Sequence, residues 1–190
     1  MLVVNIQQMT NLFFAGHLGD GSMIAAIGLG ILIQNVFIET IMWSFNASLE
    51  NLVSQAVGAG SLRNCGIYLN QGTFVLLIAF LFIYLLMVKV EEFLIYLDQD
   101  PVVSEKTEQY VLWYMPALFI YMINDLNRKF LNSFRMTMVP FLSFTISVAF
   151  HPVWVKIFVI DYGLGLQGIA LAGTITNLIT FTVIKVFIRN

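Results

Sequence analysis

Apolar residues run in long blocks along this chain, separated by short clusters of Gly, Pro and charged side chains. Five blocks are long enough to span a hydrocarbon core of about 30 Å as helices: about 22–45, 66–88, 109–134, 138–160 and 164–188. A shorter block, about 1–16, reads as the second half of a further helix. The pattern predicts an all-α, polytopic membrane protein of six transmembrane helices in a single lobe over residues 1–190. Breakers fall at the boundaries. His17-Leu-Gly-Asp-Gly21 and Gly163-Leu-Gly165 turn the chain, Asp100-Pro101 opens a turn that leads into the fourth helix, and Pro116 and Pro152 lie within helical spans, where they are expected to kink.

Composition narrows the class. Hydrophobic residues are 59% of the 190 residues and charged ones 11%, against about 45–50% and about 25% in soluble domains. The mean hydropathy is +0.85. The lipid bilayer is therefore the first partner, and a net charge of −2 gives no basic surplus for nucleic acid. Cys65, the single cysteine, excludes an internal disulfide or thiolate metal site and reads as a small buried hydrophobe. The first fifteen residues have no charged region of a secretory leader.

Arg63, Arg128, Lys129, Arg135, Lys185 and Arg189 fall in alternate gaps, and Lys89, Lys106 and Lys156 in the others, beside an acidic run from Glu91 to Glu108. Positive-inside counting puts 46–65, 128–137 and the C-terminus in the cytoplasm and the 89–108 connection outside. The sequon Asn46-Ala-Ser48 then faces the cytoplasm and is expected to stay unmodified.

Polar side chains inside the spans mark candidate chemistry, because a charge at mid-bilayer costs at least a few kcal/mol unless it is matched. Asn35, Glu39 and Asn46 fall within about 40° on a regular helix, where Glu39 would bind a cation, accept a proton or hydrogen-bond a neighbouring helix. Tyr114, Tyr121, Asp125, Arg128 and Asn132 share a broad face, with Asp125 placed to pair with Arg128 or Lys129. Ser143, Ser147 and His151 are spaced by four; His151 is either a proton-coupling group or a hydrogen-bonded structural histidine. Asn177 with Thr174 and Thr180 forms a weaker polar face. No H-E-x-x-H, G-x-S-x-G or P-loop is present, so no enzyme, resident metal or cofactor is expected.

Several stretches together resemble a known family. Phe13-Phe-Ala-Gly-His17-Leu-Gly is similar to the F-V-G-H-L-G closing the first helix of multidrug and toxic compound extrusion (MATE) exporters. Ala47-Ser-Leu-Glu50-Asn-Leu-Val-Ser-Gln55-Ala-Val-Gly58-Ala-Gly60 resembles their A-L-E-T-L-V-S-Q-A-x-G-A-G signature. Leu97-Asp-Gln-Asp100-Pro101, Tyr114-Met-Pro116-Ala-Leu-Phe and Arg128-Lys-Phe-Leu-Asn132 resemble L-x-Q-D-P, I-P-x-L-F and R-R-Y-L-Q. Gly163-Leu-Gly165 through Gly168-Ile-Ala-Leu-Ala172 completes the set in the family's order.

The resemblance implies the first of two six-helix lobes, and alternating-access export of organic cations and other xenobiotics in exchange for protons or sodium. It implies a second lobe or a homodimer partner, and a plasma or vacuolar and vesicular membrane. Asn11 stands where many prokaryotic members carry a first-helix aspartate, His151 near a second aspartate and Ser147 near an asparagine. Glu50 and Gln55 match the signature, where packing of the helix end is the plainer role. An incomplete, inactive half and a related lipid flippase are the competing expectations.

Overall fold

The computed structural model describes residues 2–17 and 19–189, with side chains from Ile6 to Ile188 apart from Leu18. Among these residues the chain forms six long helices and one short one, and no strand. They are α1 (Leu2–Gly16), α2 (Gly21–Gly58), α3 (Leu62–Met87), α4 (Val90–Tyr96), α5 (Pro101–Ser133), α6 (Met138–Asp161) and α7 (Gly165–Arg189). Four of them, α2, α3, α6 and α7, are long and apolar enough by length and composition to cross a membrane.

α5 is the hub. It packs along α7, α2 and α3, while α1 lies against α2 and α6 and α6 runs beside α7. Its 33 residues reach roughly 50 Å, more than the hydrocarbon needs, so its polar start stands clear of the core. Asp100 caps that start by accepting from Val102 N at 2.9 Å and Val103 N at 3.1 Å, with Pro101 in the first turn, where a missing N–H costs nothing. α3 lies at the periphery: only 17% of its most apolar window is buried, and Phe74, Phe82, Leu85 and Leu86 point outward, as lipid contact requires.

The predicted segments meet the structure with two differences. The stretch 46–65, expected as a connection, is helical to Gly58, and only Ala59-Gly60-Ser61 separates α2 from α3. Asn46, Leu49, Val53 and Ala56 are buried at spacings of three and four, so the polar signature continues the helix by packing one face. Cys65 joins this cluster as a small hydrophobe beside Leu49, Val53 and Leu126. Likewise 89–108 is not a loop, since it contains α4 and the first turns of α5. Turn glycines fall where sequence placed them: Gly19, Gly163 and Gly165 have φ of 72°, 67° and 54°, a region side chains resist.

Both α2 and α6 contain a π-helical turn, at Gln34–Glu39 and Lys156–Asp161. The second follows Pro152, which cannot donate within the helix. Its backbone is approached closely by α7 at Gly168, where a Cβ would lie 2.9 Å from Phe158 C and O.

Candidate functional site

Between α2, α5 and α6 lies a cavity of about 1090 Å³, bordered also by Gln8 of α1. Its wall combines aromatic side chains (Trp43, Tyr121, Phe141, Phe144) with four charged ones: Glu39, Asp125, Arg128 and Lys129. The two cations already have partners. Arg128 donates to Asp125 Oδ1 through Nε at 3.0 Å and through a second guanidinium nitrogen, and Asp125 Oδ2 accepts from Asn46 Nδ2 at 2.9 Å. Lys129 Nζ lies 3.3 Å from Glu50 Oε2. Glu39 is 5% exposed, and among the described residues no Lys, Arg or His nitrogen lies within 4.0 Å of its carboxyl. The cavity wall thus carries one carboxyl without a counter-charge.

The π-turn explains why. With bonds from i to i+5, residues five apart stand nearly above one another, so Gln34 and Glu39 are both buried. Asn35 is left exposed to the cavity, where its Oδ1 accepts from Gln8 Nε2 at 3.4 Å. The stripe of Asn35, Glu39 and Asn46 expected on a regular helix is therefore split: the extra residue per turn shifts Asn35 off the buried face. Thr40 Oγ1 caps the loosened turn, donating to Asn35 O at 2.8 Å.

Behind Glu39 a side chamber of about 20 Å³ opens, sharing Gln8, Glu39 and Tyr121 with the large cavity. Gln7, Gln34, Tyr114 and Asn177 complete most of its polar wall. Gln7 Nε2 donates to Tyr114 Oη at 3.3 Å. Asn177 Nδ2 donates to Ala117 O at 3.1 Å, and its backbone carbonyl accepts from Asn124 Nδ2 at 2.9 Å. Gln34 Nε2 is buried without a partner.

A second polar cluster joins α1, α6 and α7. His151 is fully buried, with Nδ1 2.9 Å from Thr176 Oγ1 and Nε2 2.9 Å from Asn11 Oδ1. Ser147, one turn earlier, donates to Ser143 O at 2.8 Å and is held off the histidine. At the end of the bundle where α2 begins, Lys106 Nζ reaches Asp20 Oδ2 at 2.6 Å and Ser22 Oγ at 2.5 Å. These partners hold the Asp20 carboxyl well below the usual carboxylate range, the Lys106 hydrogen bond first and Ser22 second.

Of the residues singled out from sequence, the structure gathers Asn35, Glu39, Tyr121 and Asp125 around the large cavity and Asn11 with His151 in the buried cluster. Asn177 borders the side chamber. Glu50 meets the cavity only through Lys129, and Gln55 is exposed, its carbonyl accepting from Ala59 N at 2.9 Å in the helix end. Sequence reasoning missed Gln7, Gln8, Gln34, Trp43 and Thr176. An amide inside an otherwise apolar span was the signal available.

The fold and site define a polytopic integral membrane protein with a polar, aromatic-lined cleft between its helices. The MatE family profile matches residues 1–157, and the chain belongs to the MatE family. It is 28% identical over 187 residues to multidrug and toxin extrusion protein 1 of Xenopus tropicalis, covering 98% of this chain and 32% of that protein. To protein DETOXIFICATION 8 of Arabidopsis thaliana it is 30% identical over 165 residues, covering 87% and 34%. The crystal structure of the eukaryotic MATE transporter AtDTX14 superposes with a TM-score of 0.93 at 22% identity, over 99% of this chain and 42% of that one. The chain thus spans about a third of the length of these curated relatives.

Proposed function

We propose that this chain forms the first lobe of a membrane exporter that exchanges protons or sodium for organic cations by alternating access. The observation that carries this reading is the large cavity with aromatic walls and one uncompensated carboxyl, Glu39. Flat cations suit such a wall: ring faces attract positive charge, and Glu39 supplies the counter-charge the protein does not. His151, held between α1, α6 and α7, is the second coupling candidate, since its charge state alters the contacts of all three helices. In this reading the Gly58–Leu62 turn, residues 134–137 and the end of α7 face the cytoplasm, in a plasma or vacuolar and vesicular membrane.

Proteoliposomes containing the chain, loaded with a fluorescent organic cation and given an opposing proton or sodium gradient, test the reading. Gradient-driven flux is expected; no flux under either gradient contradicts it for this polypeptide alone. A second reading rests on one fact, that the chain spans about a third of its curated relatives. The lobe then works only against a second lobe or a second copy of itself, and flux appears on adding that partner.

A further inference from the structure

We propose that the side chamber behind Glu39 binds one monovalent metal cation of sodium size, with the Glu39 carboxylate as its only charged ligand. This gives the coupling ion of the export reading a location, and to that extent rests on it.

Charge comes first. A carboxylate buried among helices needs a counter-charge, because unmatched burial costs several kcal/mol. Asp125 has Arg128, Glu50 has Lys129, and Asp20 has Lys106. Glu39 has none of these, and the charged groups facing it are Asp125, Arg128 and Lys129 of α5, the two cations being committed. A proton or a cation from outside the chain then balances it, and the chamber's donors decide which.

Chemistry then narrows the occupant. Apart from Leu118 the chamber is walled by Glu39, phenols and side-chain amides, with no Lys, Arg or His. Oxygen donors of this kind suit a hard cation. Calcium takes six to eight oxygens, commonly from several carboxylates, and magnesium keeps several of its waters. One carboxylate and about 20 Å³, room for a single water-sized body, satisfy neither. A dehydrated monovalent ion fits both the charge and the space.

The wall is also prepared for it. Gln34 borders the chamber, is 2% exposed, and its Nε2 has no partner to hold the amide in one orientation. The π-turn puts Gln34 and Glu39 on one face, and the shared residues Gln8, Glu39 and Tyr121 give entry from the large cavity. The site lies apart from the Asn11–His151 pair, with Tyr114 between them: its hydroxyl accepts from Gln7 and stands near Asn11.

Binding of ²²Na⁺ to the purified chain in nanodiscs, at constant ionic strength set with choline chloride, tests the proposal. About one ion per chain is expected, displaced by unlabelled sodium and not by choline. Glu39→Gln, which keeps the shape, should abolish binding, and Gln34→Leu should weaken it about tenfold or more by removing a ligand and filling the chamber. No ²²Na⁺ bound by the wild type overturns the proposal, the chamber then holding water and Glu39 a proton. Binding that survives Glu39→Gln overturns the location. Because no flux is measured, ion binding without export contradicts only the transport reading, and export without ion binding contradicts only this one.

Discussion

The Thr176 hydroxyl stands 2.9 Å from His151 Nδ1 while donating its own hydrogen to Ala172 O at 2.8 Å. Thr176 can therefore only accept, so Nδ1 carries the hydrogen. Nε2 is left to report the charge of the ring: as an acceptor it requires the Asn11 NH₂, as a donor the Asn11 oxygen. In the structure Asn11, 140 residues away in sequence, presents its oxygen to Nε2, the arrangement a doubly protonated ring matches; a neutral Nδ1–H ring requires the amide turned over. ¹⁵N NMR of the labelled histidine should show the Nδ1–H tautomer whenever the ring is neutral; an Nε2–H tautomer contradicts the arrangement.

Removing Thr176 should leave Nδ1–H buried and unmatched. Thr176→Val keeps the shape and is expected to cost roughly 1–3 kcal/mol, read as a lower midpoint in thermal unfolding in detergent. Thr182→Val, where the hydroxyl is exposed and bonds only Leu178 O, should be near neutral. Equal effects would show that the histidine contact contributes nothing.

Asp125 ties α2 to α5 by accepting from Asn46 while neutralising Arg128. Asp125→Ala leaves the buried Asn46 Nδ2 only its long 3.4 Å bond to Met122 O, beside an oxygen that is unmatched already, and frees a guanidinium into the cavity. A loss of roughly 1–3 kcal/mol is expected, the half-exposed guanidinium recovering part of its partner's loss in water. Binding of a cationic dye should weaken too, since Arg128 then faces the ligand uncompensated.

Gly168 is fixed by backbone, not by a side chain that can move. Gly168→Ala drives a methyl group to 2.9 Å from Phe158 C and O within the π-turn, so overpacking of about 1–3 kcal/mol is expected. Gly66→Ala, with open space around the position, should be tolerated. Comparative thermal unfolding separates the two.

The Asp20–Lys106 pair sets an acid limit on the end of the bundle where α2 begins. Because the folded carboxyl is held below its unfolded value of about 3.9, the unfolded state binds the proton more readily, and the pair's stabilisation is present above that value and lost as pH falls below it. Unfolding midpoints between pH 6 and pH 3 should fall for the wild type and fall less for Asp20→Asn. Parallel curves would remove the pair from the acid response.

Much of this was legible in the sequence, for identifiable reasons. Long apolar runs ended by glycine and proline gave the six long helices, and the four-residue spacing of Ser143, Ser147 and His151 gave a buried face. Helix geometry offered Arg128 or Lys129 as the partner of Asp125; packing decides it, with Arg128 on Asp125 and Lys129 drawn to Glu50. The extension of α2 to Gly58 was encoded in the spacing of Asn46, Leu49, Val53 and Ala56, but masked by the polar residues between them. The π-turn was not legible, since no residue in Gln34–Glu39 demands it, and it leaves Asn35 exposed while Gln34 and Glu39 are both buried. Nor could periodicity along one helix reveal that Asn11 meets His151, or that Gln7 meets Tyr114; both are products of packing.

The most direct test of Glu39 as the cavity's counter-charge is equilibrium binding of ethidium, a flat monocation, to the chain in nanodiscs, followed by quenching of the Trp43 fluorescence within the cavity wall. Glu39→Gln removes the charge and leaves the shape. A dissociation constant about tenfold or more above wild type is predicted; an unchanged constant, with the Trp43 signal still quenched, contradicts it.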